Sequence, residues 1–217
     1  MTRRDRWAQQ LMRNPLLAPV YEHVYRPTLA WTLMGFDLAH VRQERAQTVA
    51  ALRLAPGDAV LDVACGPGLF TKAFAEAVSP SGIAVGIDMS APMLARARTA
   101  NAHPRAAYVF ADATDQPFPD DAFDAVNCYA ALYLIPDPWA AFEEMCRVLR
   151  PGGRIALMSS RATQRTWIAP AQRWATGMSG LKMFGEDEFT SALAEAGFTE
   201  ISQEFHGVAQ YVAATAP

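Results

Sequence analysis

The strongest constraint on how this chain folds is a rhythm. Short apolar runs, each the length of one strand, recur between segments of helical character. Residues 59–64, 83–87, 107–110, 125–129 and 154–159 read as strands, and 69–77, 92–102 and 139–149 as helices. A surface helix over 42–54, with Val49, Leu52 and Leu54 set among Arg, Gln and Glu, precedes the first strand and is closed by Pro56-Gly57. Strands that are apolar along their whole length need cover on both faces. The pattern therefore predicts βαβ units and an α/β fold with a mostly parallel sheet between helices, without giving the strand order.

A chain of 217 residues suits one such domain with some decoration. Two parts fall outside the rhythm. Residues 1 to about 40 are rich in Trp, Tyr and Met, and residues 161–185 carry Trp167 and Trp174. The expected division is an N-terminal helical cap or lid over 1–45 and a main domain over 46–217, with 161–185 as a helical lid insert. A formal charge of −3 lacks the basic excess that phosphate neutralisation needs, so no nucleic-acid partner is expected. No apolar run approaches the roughly 18 residues of a transmembrane helix. Arg3, Arg4 and Arg6 lead into Trp7-Ala8-Gln9-Gln10 rather than into the apolar core of a signal peptide. Cys65, Cys128 and Cys146 have neither zinc-site nor disulfide spacing, which predicts no metal and a reducing, cytoplasmic setting.

The chemistry concentrates at strand ends. Val60-Leu61-Asp62-Val63-Ala64-Cys65-Gly66-Pro67-Gly68 sets an acid within a strand and two glycines in the turn to the next helix. Glycine there lets backbone N–H groups approach a ligand, and the helix N-terminus favours an anionic group. The next strand ends in Asp88, about twenty residues beyond Gly68, where a ribose diol would be hydrogen-bonded. Nicotinamide-dinucleotide enzymes share this much, but Thr71 occupies the third glycine position of their fingerprint. A third acid, Asp112, follows the third strand, so Asp62, Asp88 and Asp112 are placed to surround one nucleoside with an amino-acid tail.

Taken in order, Val60 to Gly68, Gly86-Ile87-Asp88-Met89-Ser90, Asp112-Ala113, Pro117-Phe118-Pro119-Asp120 with Phe123-Asp124, and Leu149-Arg150-Pro151-Gly152-Gly153 resemble one known domain. It is the methyltransferase type 11 domain of the family containing ubiquinone and menaquinone C-methyltransferases, which are class I S-adenosylmethionine-dependent enzymes. The likeness is dense from 60 to about 157 and weaker over 189–198. It implies a Rossmann-like, seven-stranded, mostly parallel sheet with helices on both faces and S-adenosylmethionine as cofactor. Gly66 and Gly68 then lie beneath the cofactor's methionine part, with Ala64 beside them and Asp62 bonding the amino group directly or through water. By the same resemblance Asp88 takes the ribose, Met89 covers the adenine, Asp112 accepts from the adenine amino group and Ala113 offers its backbone N–H. Cys128 and Tyr129 fall at the methionine end. Pro151-Gly152-Gly153 reads as a turn that serves folding.

A sulfonium methyl group is already activated, so the protein is expected chiefly to align donor and acceptor and exclude water. Should the acceptor have to lose a proton, Tyr21, His23, Tyr25, Tyr133 and His206 are the candidates. Many family members carry histidines where this chain has Tyr133 and Leu134, a departure that argues against a quinone acceptor. The DNA adenine methyltransferase motif is absent after the fourth strand. Tyr21, Tyr25, Trp31, Met34 and Phe36 fit an aromatic wall over an apolar or aromatic small molecule, or equally the packing face of an N-terminal helix. Two rival functions remain from the residues alone: a cofactor-binding protein without transfer activity, and a nicotinamide-dinucleotide dehydrogenase.

Overall fold

A computed structural model describes residues 38–162 and 182–217. Helix α1 (Leu38–Ala51) leads into the alternation β1 (Ala59–Val63), α2 (Leu69–Ala77), β2 (Ile83–Asp88), α3 (Ala91–Ala100), β3 (Ala106–Phe110) and β4 (Phe123–Tyr129). A 3₁₀ turn (Leu132–Leu134), α4 (Pro138–Val148), β5 (Leu149–Ser160), α5 (Glu188–Glu195), β6 (Thr199–His206) and β7 (Ala209–Thr215) complete it. The seven strands form one sheet in the order β3-β2-β1-β4-β5-β7-β6. Neighbours from β3 to β5 are parallel, and β7 runs antiparallel to both β5 and β6. This is the mostly parallel α/β sheet the rhythm predicted.

Strand alternation divides the interior into two layers. Val60, Ala84, Ala125 and Ala156 pack on one face with Leu52, Phe70 and Phe74, which come from the α1 and α2 side. Leu61, Val126, Ile155 and Leu157 pack on the other with Met145 and Val148 of α4 and Phe189 and Leu193 of α5. The first face is lined largely by alanine, so a helix can approach closely and Phe74 can bury completely. Burying such a side chain contributes about 1.5–3 kcal/mol.

Element ends are set by caps the apolar pattern does not show. The Ser90 hydroxyl accepts from Met93 N at the start of α3, and the Asp137 carboxylate accepts from Ala140 N at 3.1 Å at the start of α4. Both helices thereby begin one residue earlier than expected. Strand β5 begins five residues earlier, because Leu149 pairs with Phe123 before 150–153 bulge out and pairing resumes at Ala125 with Arg154. Pro151-Gly152-Gly153 forms that bulge, and it is stitched to the end of β7 by Ala216 N donating to Gly153 O at 2.9 Å. Among the described residues no helix is long and apolar enough to cross a membrane.

The cap expected over 1–45 is described only from Leu38, the start of α1. Tyr21, His23, Tyr25, Trp31, Met34, Phe36, Trp167 and Trp174 lie outside the described residues.

Candidate functional site

Because β1 to β4 run parallel, their C-terminal ends share one edge, and the loops leaving them surround a cleft of about 400 Å³. The loop after β1 makes its floor. Ala64 and Gly66 both adopt φ of 55°, and Gly68 caps α2 at φ 81° in the left-handed region. The two glycines differ in purpose. A Cβ at Gly66 would meet nothing within 4 Å, so that glycine opens onto the cleft. A Cβ at Gly68 would lie 2.6 Å from the Tyr108 ring, so that glycine allows close packing from behind.

Asp88, at the end of β2, is held by main chain on both oxygens: Gly66 N donates to Oδ2 at 2.8 Å and Ser90 N to Oδ1 at 2.7 Å. Burial pushes its carboxyl above the ordinary range, and the two N–H groups offset only part of that rise. Each oxygen retains a lone pair, so hydroxyl donors from a ligand would complete its hydrogen bonding. Asp112, beyond β3, is braced by Thr114, whose N and hydroxyl donate to Oδ1 at 2.9 and 2.8 Å. Met89 stands nearly half exposed at the rim, and Ala113 is buried in the wall.

Asp62 forms the back of the cleft. It is 2% exposed and accepts from the Thr71 hydroxyl at 2.6 Å and from Asn127 Nδ2 at 2.8 Å. Neither partner was singled out for this role from the sequence. Thr71, the residue that breaks the dinucleotide glycine pattern, sits one helical turn into α2 and aims its hydroxyl at β1. Asn127 lies in the middle of an apolar run, 65 residues from Asp62.

The structure brings Asp62, Ala64, Gly66, Asp88, Met89, Asp112, Ala113 and Tyr129 to the cleft wall. Gly68 and Cys128 are not in that wall. Gly68 backs onto Tyr108, and Cys128 faces the opposite side of β4 from Tyr129, fully buried, with its thiol pushed up by burial. Tyr133 is buried in the core beside α4. His206 lies on β6 at the far edge of the sheet, its ring 5.6 Å from that of Tyr211. Neither reaches the cleft. Wall residues the sequence did not nominate include Cys65, Phe70, Leu134, Ile135 and Pro136. The last three follow β4.

Tyr129 closes the end of the cleft. Its ring meets Phe70 at 5.2 Å and Tyr211 at 5.8 Å, and its hydroxyl bonds Thr48 of α1. Burial pushes its hydroxyl up, so it remains protonated at neutral pH. The Cys65 thiol is likewise raised by burial and by the Asp62 and Asp88 charges, which removes the thiolate that a nucleophile would require.

Residues 61–157, which include most of this wall, match the family model described as a methyltransferase domain. Over this stretch the chain is similar to the methyltransferase-domain family. The chain is 34% identical over 137 residues to a demethylmenaquinone methyltransferase of Lactiplantibacillus plantarum, covering 61% of this chain and 58% of that one. It is also 34% identical over 168 residues to the 27-O-demethylrifamycin SV methyltransferase of Amycolatopsis mediterranei, covering 74% of this chain and 60% of that one. The chain spans about half the length of the curated relatives it matches. In fold, it is similar to a SAM-dependent methyltransferase from Aquifex aeolicus, with a TM-score of 0.67 at 19% identity over 94% of this chain and 99% of that one.

Proposed function

We propose that this protein transfers a methyl group from S-adenosylmethionine to a small-molecule acceptor. The observation that carries the reading is Asp88, a buried carboxylate fixed by two backbone N–H groups on the wall of a nucleoside-sized cleft and still able to accept from a diol. The residues present fit the cofactor: a carboxylate for its ribose, an exposed Met89 and a buried Ala113 for its adenine, and the open Gly66 floor for its methionine part. When bound, the cofactor supplies an electrophilic methyl group on a sulfonium.

The chain's own residues then bind, orient and exclude water. Asp88 accepts from the ribose hydroxyls, and Asp112 accepts from the adenine amino group. Asp62, clamped by Thr71 and Asn127, presents negative charge at the back of the cleft toward the cofactor's amino group. Gly68 shapes the loop beneath the cofactor's methionine part, and Cys128 packs in the core behind it. Tyr129, Leu134 and Ile135 wall the end where an acceptor enters, and their mostly apolar surface supports an apolar or aromatic metabolite. Tyr129 stays protonated and acts there as a hydrogen-bonding wall, so it does not take the acceptor's proton.

The domain reading is a cap over 1–45, a cofactor-binding domain over 46–217 and a covering insert over 161–185. Support comes from the direction of α1. At its middle Glu44 accepts from the Tyr211 hydroxyl beside Tyr129 of the cleft wall, and at its end Ala51 O accepts from Arg154 toward the opposite edge of the sheet.

Calorimetric titration with S-adenosylhomocysteine, followed by an acceptor screen reading its release from S-adenosylmethionine, tests this reading. Saturable binding and turnover with an aromatic or apolar small molecule are expected. Binding of a nicotinamide dinucleotide with none of S-adenosylmethionine would overturn it, and cofactor binding with no turnover across the screen would leave a binding module.

A further inference from the structure

The loop that floors the cleft cannot hold its own shape. Ala64, Gly66 and Gly68 all have positive φ within five residues, and an alanine at 55° sits in a region that favours glycine. Part of the restraint is main chain: Cys65 N donates to Ile87 O of β2 at 2.9 Å and, within the loop, Gly68 N to Cys65 O at 3.0 Å. Asp88 holds Gly66 N from the cleft wall, and two residues outside the wall add to this. Asn101, the buried C-cap residue of α3, reaches back 34 positions and donates from Nδ2 to Pro67 O at 2.7 Å. Pro67 has no N–H, so this bond takes its main-chain polar group. Tyr108, on β3, donates from its hydroxyl to Asn101 O at 2.7 Å and lays its ring under Gly68. The Tyr108 main chain is fixed in turn by Arg98 Nη2 donating to its carbonyl at 2.7 Å.

We infer that Asn101 and Tyr108 are positioning residues for the cofactor loop, holding Pro67 and Gly68 so that Gly66 faces the cleft and its N–H meets Asp88. Neither lines the cleft, and neither belongs to a motif in the sequence. The inference rests on the proposed nucleoside site but makes a claim about the loop itself. Asn101 is the peg that fixes the loop's carbonyl, and the Tyr108 ring is the plate behind it. The bond from Gly66 N to Asp88 links the loop's shape to the ribose carboxylate, so loosening the peg also disorients that carboxylate.

The test compares Asn101→Ala, Tyr108→Leu and Tyr108→Phe with the parent by three measurements. These are amide hydrogen exchange in the free protein, S-adenosylhomocysteine titration and thermal melting. Asn101→Ala should speed exchange at Gly66 and Gly68 about tenfold relative to core strand amides such as Val126, and weaken S-adenosylhomocysteine by roughly the same factor. Tyr108→Leu should act alike. Tyr108→Phe, which keeps the plate, should stay within about threefold of the parent in both. Loop exchange at the parental rate in Asn101→Ala would overturn the inference, as would acceleration spread evenly through the core, which would mark a purely structural role. A parent that fails to bind S-adenosylhomocysteine would sink the proposed function, while loop exchange would still decide this inference.

Discussion

In the β3-β2-β1-β4 half of the sheet the buried polar side chains converge on a cavity, whereas in the β5-β7-β6 half they converge on each other. Asp88 and Asp112 are braced from one side by main chain or by Thr114, and their carboxylates line open space. Across the sheet, Arg154 is 9% exposed and spends its guanidinium on Ala51 O, Thr215 Oγ1 and Glu200. Gln210, fully buried, donates to Ser160 O at 3.0 Å and accepts from Gln203. Carboxylates thus face open space in one half, whereas polar side chains close on one another in the other. What separates them is whether the hydrogen bonding closes within the protein.

Substitution can break that contrast. The largest effect is expected at Asp88: in Asp88→Ala each lost charge-assisted bond to a ribose hydroxyl is worth about 1.5–3 kcal/mol, so affinity for S-adenosylmethionine should fall at least about tenfold. The melting temperature should change little, and loss of binding that merely tracked unfolding would erase the distinction between halves. Next comes Arg154→Met, which leaves Ala51 O without its guanidinium donors and should destabilise the fold by about 2 kcal/mol. Urea unfolding would show this, with affinity for S-adenosylhomocysteine unchanged. A smaller loss, about 1 kcal/mol of binding, is expected for Asp112→Ala, because one amino group is unpaired while the adenine face stays packed. Titration beside Asp88→Ala would rank the two.

The smallest effect concerns pH. Asp88 in the free protein has its carboxyl raised by burial, so its contribution to stability is full below the unfolded pKa and is lost as pH rises through the folded one. Hydroxyl donors favour the carboxylate and lower that pKa, so cofactor binding should release protons. Affinity should then decline a few-fold as pH falls through the upper carboxylate range. Titration in buffers of different ionisation enthalpy would reveal the release, and Asp88→Asn should abolish it.

The sequence revealed those parts of this arrangement whose physics is local. Helix α2 begins and ends where the pattern placed it, because Gly68 and the apolar face of Phe70 and Phe74 lie within the segment itself. Asp88 and Asp112 were legible because an acid closing an apolar run points to the strand-end edge, and both do line the cleft there. The clamp on Asp62 was not, since Asn127 comes from a strand that order alone cannot place beside β1. Nor was the difference between Gly66 and Gly68, which depends on a tyrosine 40 residues away. Cys128 and Tyr129 are adjacent in the chain, yet one residue of strand register sends their side chains to opposite faces.

The position of β7 sets the order in which the molecule can assemble. It lies between β5 and β6 although it follows both in the chain, so β6 joins the sheet only through a strand synthesised after it. While residues 209–215 are still emerging, β5 presents an unpaired edge and 199–206 have no partner, the condition in which strands recruit neighbouring molecules. Completion therefore waits on a hairpin closed by Gly207 and Val208. A nascent or refolding chain should pass through a species with its first five strands paired and its last two still searching, and at that stage it should be most prone to aggregate.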